Sequence, residues 1–146
     1  MTPEKIFELC NTIALLGWII LIFLPFMHNR DKFISGIIVT LFAIVYTWLL
    51  FTGFEPSAFR SFSTLEGVMG LFTNKTVATA GWVHYLAFDL MTGLFISNNA
   101  KMHGISHWLT VPCLFFTFML GPFGLLLYFI LRLIVTRKYF ADNFNH

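Results

Sequence analysis

Charged residues are scarce in this sequence. They make up 11% of its 146 residues, whereas soluble domains carry about 25%. The two cysteines, Cys10 and Cys113, lie inside apolar runs, so they favour neither a disulfide framework nor a metal site. The net charge of +2 is small and the basic residues are dispersed, which argues against a nucleic-acid partner. Hydrophobic residues make up 58% of the sequence, with 19 phenylalanines, and a short chain cannot bury that much apolar surface in a soluble core.

Four apolar stretches indicate an all-α, polytopic membrane protein. A helix needs about 20 apolar residues to cross a hydrocarbon core of about 30 Å. The predicted spans cover residues 6–27, 33–53, 77–97 and 108–135. The first stretch is longer than a signal-peptide core and no small-residue cleavage site follows it, so we expect it to be retained. The sequence thus predicts a single integral membrane domain over residues 1–146, with four transmembrane helices and the lipid bilayer as its partner.

The loop between the second and third predicted spans carries a helical pattern of its own. Apolar residues recur at helical spacing from Phe62 to Phe72, and Ser63 followed by Glu66 matches a capping box. We therefore predict a short amphipathic helix over residues 63–72, on or dipping into the membrane surface. Two interpretations of Glu66 stay open: it caps this helix, or it reaches a site in the third span.

An even number of spans would put both termini on one side of the membrane. The basic residues on that side would be Lys5, Arg60, Lys75, Arg132, Arg137 and Lys138, against Arg30, Lys32 and Lys101 on the other. Loops on the cytoplasmic side of a membrane are enriched in lysine and arginine. The excess of six over three therefore predicts that both termini are cytoplasmic.

Two ionisable residues lie within the third predicted span. Such residues are costly in a bilayer and usually mark a functional site. Asp89 is near the centre of the span and has no basic residue within one turn, so it is either functional or a hydrogen-bonding strut between helices. His84 points about 140° away from Asp89 around the helix, and it is either a buried hydrogen-bonding group or a second member of a broad cavity.

The Gly121-Pro122 pair interrupts the fourth predicted span. Proline donates no amide hydrogen and kinks a helix, and broken backbone at membrane depth normally lines a cavity or a protein interior. If the last two spans fold as a hairpin about residue 102, His84 lies beside this break. The break and the two ionisable residues therefore form the candidate site. His103 and His107 have the spacing of a metal pair but lie at the predicted membrane surface, so we expect no metal site.

Several segments resemble a known family. They are GWVHYLAFDL at residues 81–90, STLEGV at 63–68, PCLF at 112–115 and GPFGL at 121–125. In these segments the sequence resembles the plant neoxanthin-synthase family, named for abscisic-acid deficiency, and its bacterial relatives. The resemblance covers nearly the whole chain and implies a four-span membrane protein. It also draws attention to His107, because relatives often carry a histidine at the head of the last span.

The resemblance implies a reaction. In plants the family is needed to turn the epoxy-carotenoid violaxanthin into the allenic neoxanthin. This isomerisation needs a proton donor at the epoxide oxygen and a base at the adjacent polyene carbon, but no redox cofactor. By this resemblance Asp89 would donate the proton and His84 would accept one. The other expected site residues are Glu66 and His107 in second rank, with Trp82, Tyr85, Gly121 and Pro122 lining the substrate.

The resemblance transfers the fold better than the substrate. We expect either a cofactor-independent isomerase or a binding protein for a carotenoid or another isoprenoid. The alternative is a non-catalytic membrane subunit or scaffold in which Asp89 is an interhelical strut. Because the first span begins within a few residues of Met1, with no transit peptide before it, we expect a bacterial inner membrane as the location.

Overall fold

The regular elements of the chain are helices, as the sequence predicts. The structure is a computed structural model, and it describes residues 1–53, 55–138 and 143. The helices are α1 (Pro3–Phe23), α2 (Arg30–Gly53), α3 (Leu65–Leu71), α4 (Lys75–Met102), α5 (His107–Leu120) and α6 (Pro122–Thr136). A 3-10 segment, Pro56–Ser63, leads into α3. The all-α prediction is confirmed for the described residues.

Two helices, α1 and α2, are long and apolar enough to cross a membrane. They correspond to the predicted spans 6–27 and 33–53. Thr2 caps α1, because its hydroxyl oxygen accepts a hydrogen bond from the amide of Lys5. The helix α1 ends at Phe23, shortly before Pro25, which disfavours helical backbone at the residue that precedes it. The helix α2 includes a π-helical segment, Ile34–Val39.

The helix α4 lies at the centre of the bundle, where it contacts α1, α2, α5 and α6. It has 28 residues and is therefore about 42 Å long. Glycines let its neighbours approach closely, since a Cβ on Gly93 would lie 2.7 Å from the ring of Trp18. The helix α4 is long enough to cross a membrane, but among the described helices it is not one of the two that are also sufficiently apolar. Its central position explains its buried polar residues, Thr79, Asp89, Ser97 and Asn99, because these face other helices.

The helices α5 and α6 form an antiparallel hairpin. Gly121, with a φ of +50°, separates them, and Pro122 begins α6. A Cβ on Gly124 would lie 2.5 Å from the carbonyl oxygen of Cys113, and the ring centroids of Phe116 and Phe123 are 5.4 Å apart. Both contacts join a residue of α5 to a residue of α6. The chain therefore reverses direction there.

This reversal differs from the predicted single fourth span over residues 108–135. The helices α5 and α6 have 14 and 15 residues, so each is about 22 Å long and shorter than a hydrocarbon core of about 30 Å. The sequence suggested a kink at Gly121-Pro122, but the positive φ of Gly121 turns the backbone back on itself.

The hairpin also determines at which end of the bundle α6 ends. Near its C-terminal end α6 reaches the last turns of α4, where Arg132 Nη1 donates a hydrogen bond to Asn99 Oδ1 at 2.9 Å. At the other end of α4, Lys75 Nζ lies 2.8 Å from Glu4 Oε1 of α1. The start of α1 and the end of α6 therefore lie at opposite ends of the bundle, whereas an even number of spans would put them at the same end.

The predicted amphipathic helix over residues 63–72 corresponds to α3. Its cap is Thr64, whose hydroxyl oxygen accepts a hydrogen bond from the Gly67 amide at 3.1 Å. The hydroxyl of Ser63 donates instead to the Arg60 carbonyl oxygen at 2.6 Å. The predicted capping box is therefore wrong by one residue, because it is Thr64 that adopts the extended backbone of a cap.

Candidate functional site

Asp89 is the centre of the candidate site. It lies on α4 and is only 6% exposed. Among the buried side-chain polar atoms of the described residues, its Oδ2 is the one without a hydrogen-bond partner. Buried polar groups in proteins are nearly always hydrogen-bonded, so a lone exception needs a reason. Burying a carboxyl group without a hydrogen bond costs free energy that an exposed, hydrated carboxyl group does not incur.

The carboxyl group of Asp89 faces the turn between α5 and α6. A Cβ placed on Gly121 would lie 2.6 Å from Asp89 Oδ1, so only glycine leaves room for the carboxyl group at this distance. Gly121 is also the N-cap residue of α6, and it has no side chain to accept a hydrogen bond from the first turn. The carboxyl group therefore occupies the place where a capping side chain would be, close to the positive end of a helix dipole.

The hairpin register explains why Asp89, and not His84, meets this turn. The predicted hairpin of the last two spans turned about residue 102, which placed His84 beside the break. In the structure α4 continues to Met102 and α5 begins only at His107. The connection therefore lies later in the chain, and the Gly121 turn faces a residue about one turn further along α4 than His84.

Tyr85 lies one turn before Asp89 on the same face of α4. Its side chain interacts with the Asp89 carboxyl group, and its hydroxyl donates a hydrogen bond to the carbonyl oxygen of Met119 at 3.3 Å. Met119 belongs to the last turn of α5, where carbonyl oxygens lack partners within the helix. Tyr85 thus connects Asp89 to the tip of the hairpin.

An aromatic groove leads from this point toward the first turns of α1 and α4. It has a volume of about 460 Å³ and is lined by Phe7, Phe72, Ala78, Thr79, Gly81, Trp82 and Tyr85. The ring of Trp82 lies 5.3 Å from that of Tyr85 and 5.4 Å from that of Phe7, measured between centroids. Trp82 is fixed by its indole nitrogen, which donates a hydrogen bond to Asn11 Oδ1 at 2.8 Å. We call these residues the aromatic groove.

His84 lies on another face of α4. Its ring stacks near those of Phe88 and Tyr46, with centroid distances of 4.4 and 5.5 Å. It lines a separate apolar cavity of about 220 Å³ between α2 and α4. His84 contacts the rings of Phe88 and Tyr46, whereas the Asp89 carboxyl group faces Gly121. These contacts do not place the expected acid and base in one site.

One family model matches the chain over residues 5–128, and its description is ABA DEFICIENT 4-like. This match covers most of the sequence. The chain belongs to the ABA DEFICIENT 4-like family. No curated protein and no solved structure matches it. The membership confirms the resemblance that the segments around Trp82, Asp89 and Gly121 indicate.

The two second-rank candidates of this family member lie away from Asp89. His107 begins α5, as predicted, and its Nε2 is 2.8 Å from the carbonyl oxygen of Ile22 near the end of α1. It therefore ties two helices together at the opposite end of α4 from Trp82. Glu66 is exposed on α3. Of the expected site residues, the structure groups Asp89 with Tyr85 and Gly121, and it places Trp82 beside Tyr85.

A buried polar cluster near the end of α4 was not predicted from the sequence. Asn99 Oδ1 accepts hydrogen bonds from the Tyr128 hydroxyl and from Arg132, and Arg132 also donates to Asn143 Oδ1 at 2.7 Å. Arg132 is 5% exposed, although it was counted only as a charge at a membrane surface. Its position inside the apolar run of residues 124–135 was the signal that could have identified it.

The part of the chain that the structure describes contains no set of metal ligands. No three histidine, cysteine, aspartate or glutamate side chains there lie together in a way that could hold a metal ion. The two cysteines are buried and free. The chemistry that the site offers is therefore that of a carboxyl group, a phenol and the end of a helix.

Proposed function

We propose that this protein is a membrane-embedded isomerase for a carotenoid or a related long isoprenoid, and that Asp89 is its acid–base group. The observation that carries the proposal is the buried carboxyl group with an unpartnered oxygen, held against the Gly121 turn. A buried carboxyl group without a hydrogen-bond partner needs a reason, and catalysis is one. The aromatic groove beside it has the apolar, ring-rich lining that a polyene or its end ring requires.

We propose that α1, α2 and α4 cross the bilayer and that the α5–α6 hairpin enters and leaves it on one side. Large apolar side chains are exposed on the outer faces of these helices, among them Phe51, Phe88 and Ile134. Exposed apolar surface of this extent is a liability in water and suits contact with lipid. Half-length helices are compatible with membrane depth because backbone hydrogen bonds are made within each helix and the turn between them is packed against α4.

The hairpin changes the membrane orientation that the sequence predicts. With α6 returning to the end of α4, the basic residues Arg132, Arg137 and Lys138 join Arg30, Lys32 and Lys101. That leaves Lys5, Arg60 and Lys75 at the other end, so the six-to-three excess now favours the side of the C-terminal end. We propose that this side is cytoplasmic and that the start of α1 lies across the membrane from it.

The proposed chemistry uses one carboxyl group for both proton transfers. Asp89 donates its proton to the epoxide oxygen. The bond between that oxygen and the ring carbon that bears the polyene breaks, and the oxygen stays on the other ring carbon as a hydroxyl. The Asp89 carboxylate then removes a proton from the adjacent polyene carbon, whose bonding electrons form the new double bond of the allene. Atoms and charge balance, and Asp89 returns to its acid form. Tyr85 would orient the carboxyl group. Its hydroxyl donates its proton to Met119, so its oxygen remains free to accept a hydrogen bond from the protonated acid.

The scaffold alternative predicts a different role for Asp89. A strut would hydrogen-bond to a neighbouring helix, as polar side chains between membrane helices commonly do. Asp89 Oδ2 makes no such bond among the described residues. The scaffold description fits Asn99 better, since Asn99 Oδ1 accepts two hydrogen bonds from α6.

The first experiment is to purify the protein in mild detergent from cells that make epoxy-carotenoids and to identify the isoprenoids that remain bound by mass spectrometry. We expect a bound isoprenoid and, in the cell extract, an isomer that cells without the protein lack. Asp89→Asn should keep the bound isoprenoid and lower the yield of the isomer by about 10²–10⁴-fold, the usual contribution of general acid–base catalysis.

Glu8→Gln is the matched control, because it neutralises an exposed carboxylate on α1. It should leave the isomer yield unchanged. The proposal fails if the wild-type protein retains no isoprenoid and forms no new isomer. A normal isomer yield with Asp89→Asn would also reject it, because the acid–base group would then be elsewhere.

A further inference from the structure

We propose that the loop end of the bundle, where α1 meets α2 and α4 meets α5, binds the phosphate of an anionic phospholipid headgroup. A cavity of about 590 Å³ lies there, far along α4 from Asp89. Its lining includes Asn29, Arg30, Lys32, Lys101, Ser106 and Trp108. We call it the basic pocket. The proposal depends on the membrane orientation proposed above but not on the chemistry proposed at Asp89.

The charges of the basic pocket favour an anion. Three cationic side chains line it, against one carboxylate, Asp31, which is already engaged with Arg30 Nε at 2.8 Å. Lys32 and Lys101 are exposed, and within the described residues neither ammonium group has a hydrogen-bond or ion-pair partner. Cationic side chains without partners around a cavity attract a phosphate, and they break no existing ion pair when they bind it.

Arg30 is built into the wall of the basic pocket. It is 7% exposed, and its Nη2 donates hydrogen bonds to Ser97 Oγ at 3.1 Å and to Asn98 Oδ1 at 3.5 Å. A buried guanidinium fixed by two residues of α4 is a rigid feature, in contrast to a mobile surface lysine. Its Nη1 takes part in none of these bonds, which leaves a donor available for a phosphate oxygen.

Two helix N-termini face the same cavity. The cap residues of α2 and α5 are Asn29 and Ser106, and neither side chain accepts a hydrogen bond from its helix. The amides of a first helical turn that lack such a partner favour an anion. They add to the three cationic side chains, so cationic groups and helix dipoles act in the same direction.

A lipid is the source of phosphate that the surroundings favour. Phe26 and Trp108 line the rim of the basic pocket and are 95% and 71% exposed. Aromatic side chains of this kind are enriched at the level of lipid headgroups. The proposed orientation puts this end on the cytoplasmic side, where basic pockets between helices bind anionic headgroups. A free phosphate ion would gain nothing from the aromatic rim.

The test is native mass spectrometry of the detergent-solubilised protein, titrated with phosphatidylglycerol or phosphatidylcholine of the same acyl chains. We expect phosphatidylglycerol to bind at least tenfold more tightly, because each basic residue contributes at a headgroup site. Lys32→Gln combined with Lys101→Gln should reduce that preference by about tenfold or more. Lys5→Gln combined with Lys138→Gln removes the same charge from exposed sites outside the pocket and should leave the preference intact.

Equal affinity for the two lipids would overturn the proposal, and so would equal losses in the two double variants. Inorganic phosphate added alone should leave no bound ion. If it binds with the same dependence on Lys32 and Lys101 while phosphatidylglycerol shows no preference, the site takes the free ion and the lipid proposal is wrong. Asp89→Asn should keep the lipid preference, which separates this result from the outcome at the proposed catalytic site.

Discussion

Two buried polar regions lie on α4, about 15 Å apart along the helix axis. Around Asn99, the side chains of Tyr128 and Arg132 meet a single amide oxygen, and Asn143 completes the group. Around Asp89, one carboxylate oxygen has no partner among the described residues. A satisfied network stabilises and specifies a fold, whereas an unsatisfied buried group destabilises it. We therefore propose a structural role for the first region and a functional role for the second.

The α5–α6 hairpin connects the two regions. Its turn at Gly121 faces Asp89, and its returning helix carries Tyr128 and Arg132 to Asn99. The cluster at Asn99 thus holds the hairpin in place while the turn forms one wall of the candidate site. The two regions should therefore respond differently to substitution, with stability lost at one and activity lost at the other.

The largest expected loss of stability is at Asn99. Asn99→Leu removes the acceptor that the Tyr128 hydroxyl and Arg132 Nη1 share. Loss of the acceptor for the buried Tyr128 hydroxyl and of one acceptor for Arg132 should cost about 3 kcal/mol. The measurement is reversible unfolding in mixed micelles with increasing denaturing detergent. Ser106→Leu changes an exposed polar residue on the same side of the bundle, and it should cost far less.

Gly121→Ala should have the next largest effect. Alanine is strained at a φ of +50° and a ψ of −103°, and its Cβ would lie 2.6 Å from Asp89 Oδ1. Together the strain and the overpacking should cost about 2 kcal/mol. Gly104→Ala is the matched control, since Gly104 has a φ of +68° but nothing within 4 Å of an added Cβ. If the two variants lose the same stability, Asp89 does not pack against the turn.

The two faces of α4 should differ in their effect on activity. Tyr85→Phe removes the hydroxyl that binds Met119 and should reduce isomer formation about tenfold, through loss of positioning near Asp89. His84→Leu should change it less than about twofold, because His84 lines a separate cavity with Tyr46 and Phe88. Isomer yields from cell extracts compare the two. The opposite order would restore the sequence-based pairing of His84 with Asp89.

The sequence was sufficient to predict the helical elements but not the direction of the last one. Apolar length predicts α1 and α2 because this signal is local. The reversal at Gly121 depends on a positive φ and on contacts such as that between Gly124 and Cys113, which no residue pattern encodes by itself. Counting residues 108–135 as one span followed from their hydrophobicity, and a folded-back pair of short helices has the same composition.

The sequence identified Asp89 and Gly121 separately, but it paired the wrong residue with the turn. Asp89 was recognisable because an acid within an apolar run is costly, and the family resemblance pointed to the same segment. The register depends on where α4 ends and α5 begins, and an error of a few residues there moves the turn from Asp89 to His84. Arg132 was accessible to the same rule as Asp89, but its place near the end of the run concealed it.

The most direct test of the account is the unfolding free energy of Asp89→Asn relative to the wild-type protein, measured in the same micelles as Asn99→Leu. If Asp89 is kept for chemistry, its Oδ2 has no hydrogen bond to lose, and the variant should be as stable as the wild type to within about 0.5 kcal/mol, or more stable. A loss of about 2 kcal/mol or more would mean that the carboxyl group holds the helices together. That result would contradict the assignment of function to Asp89.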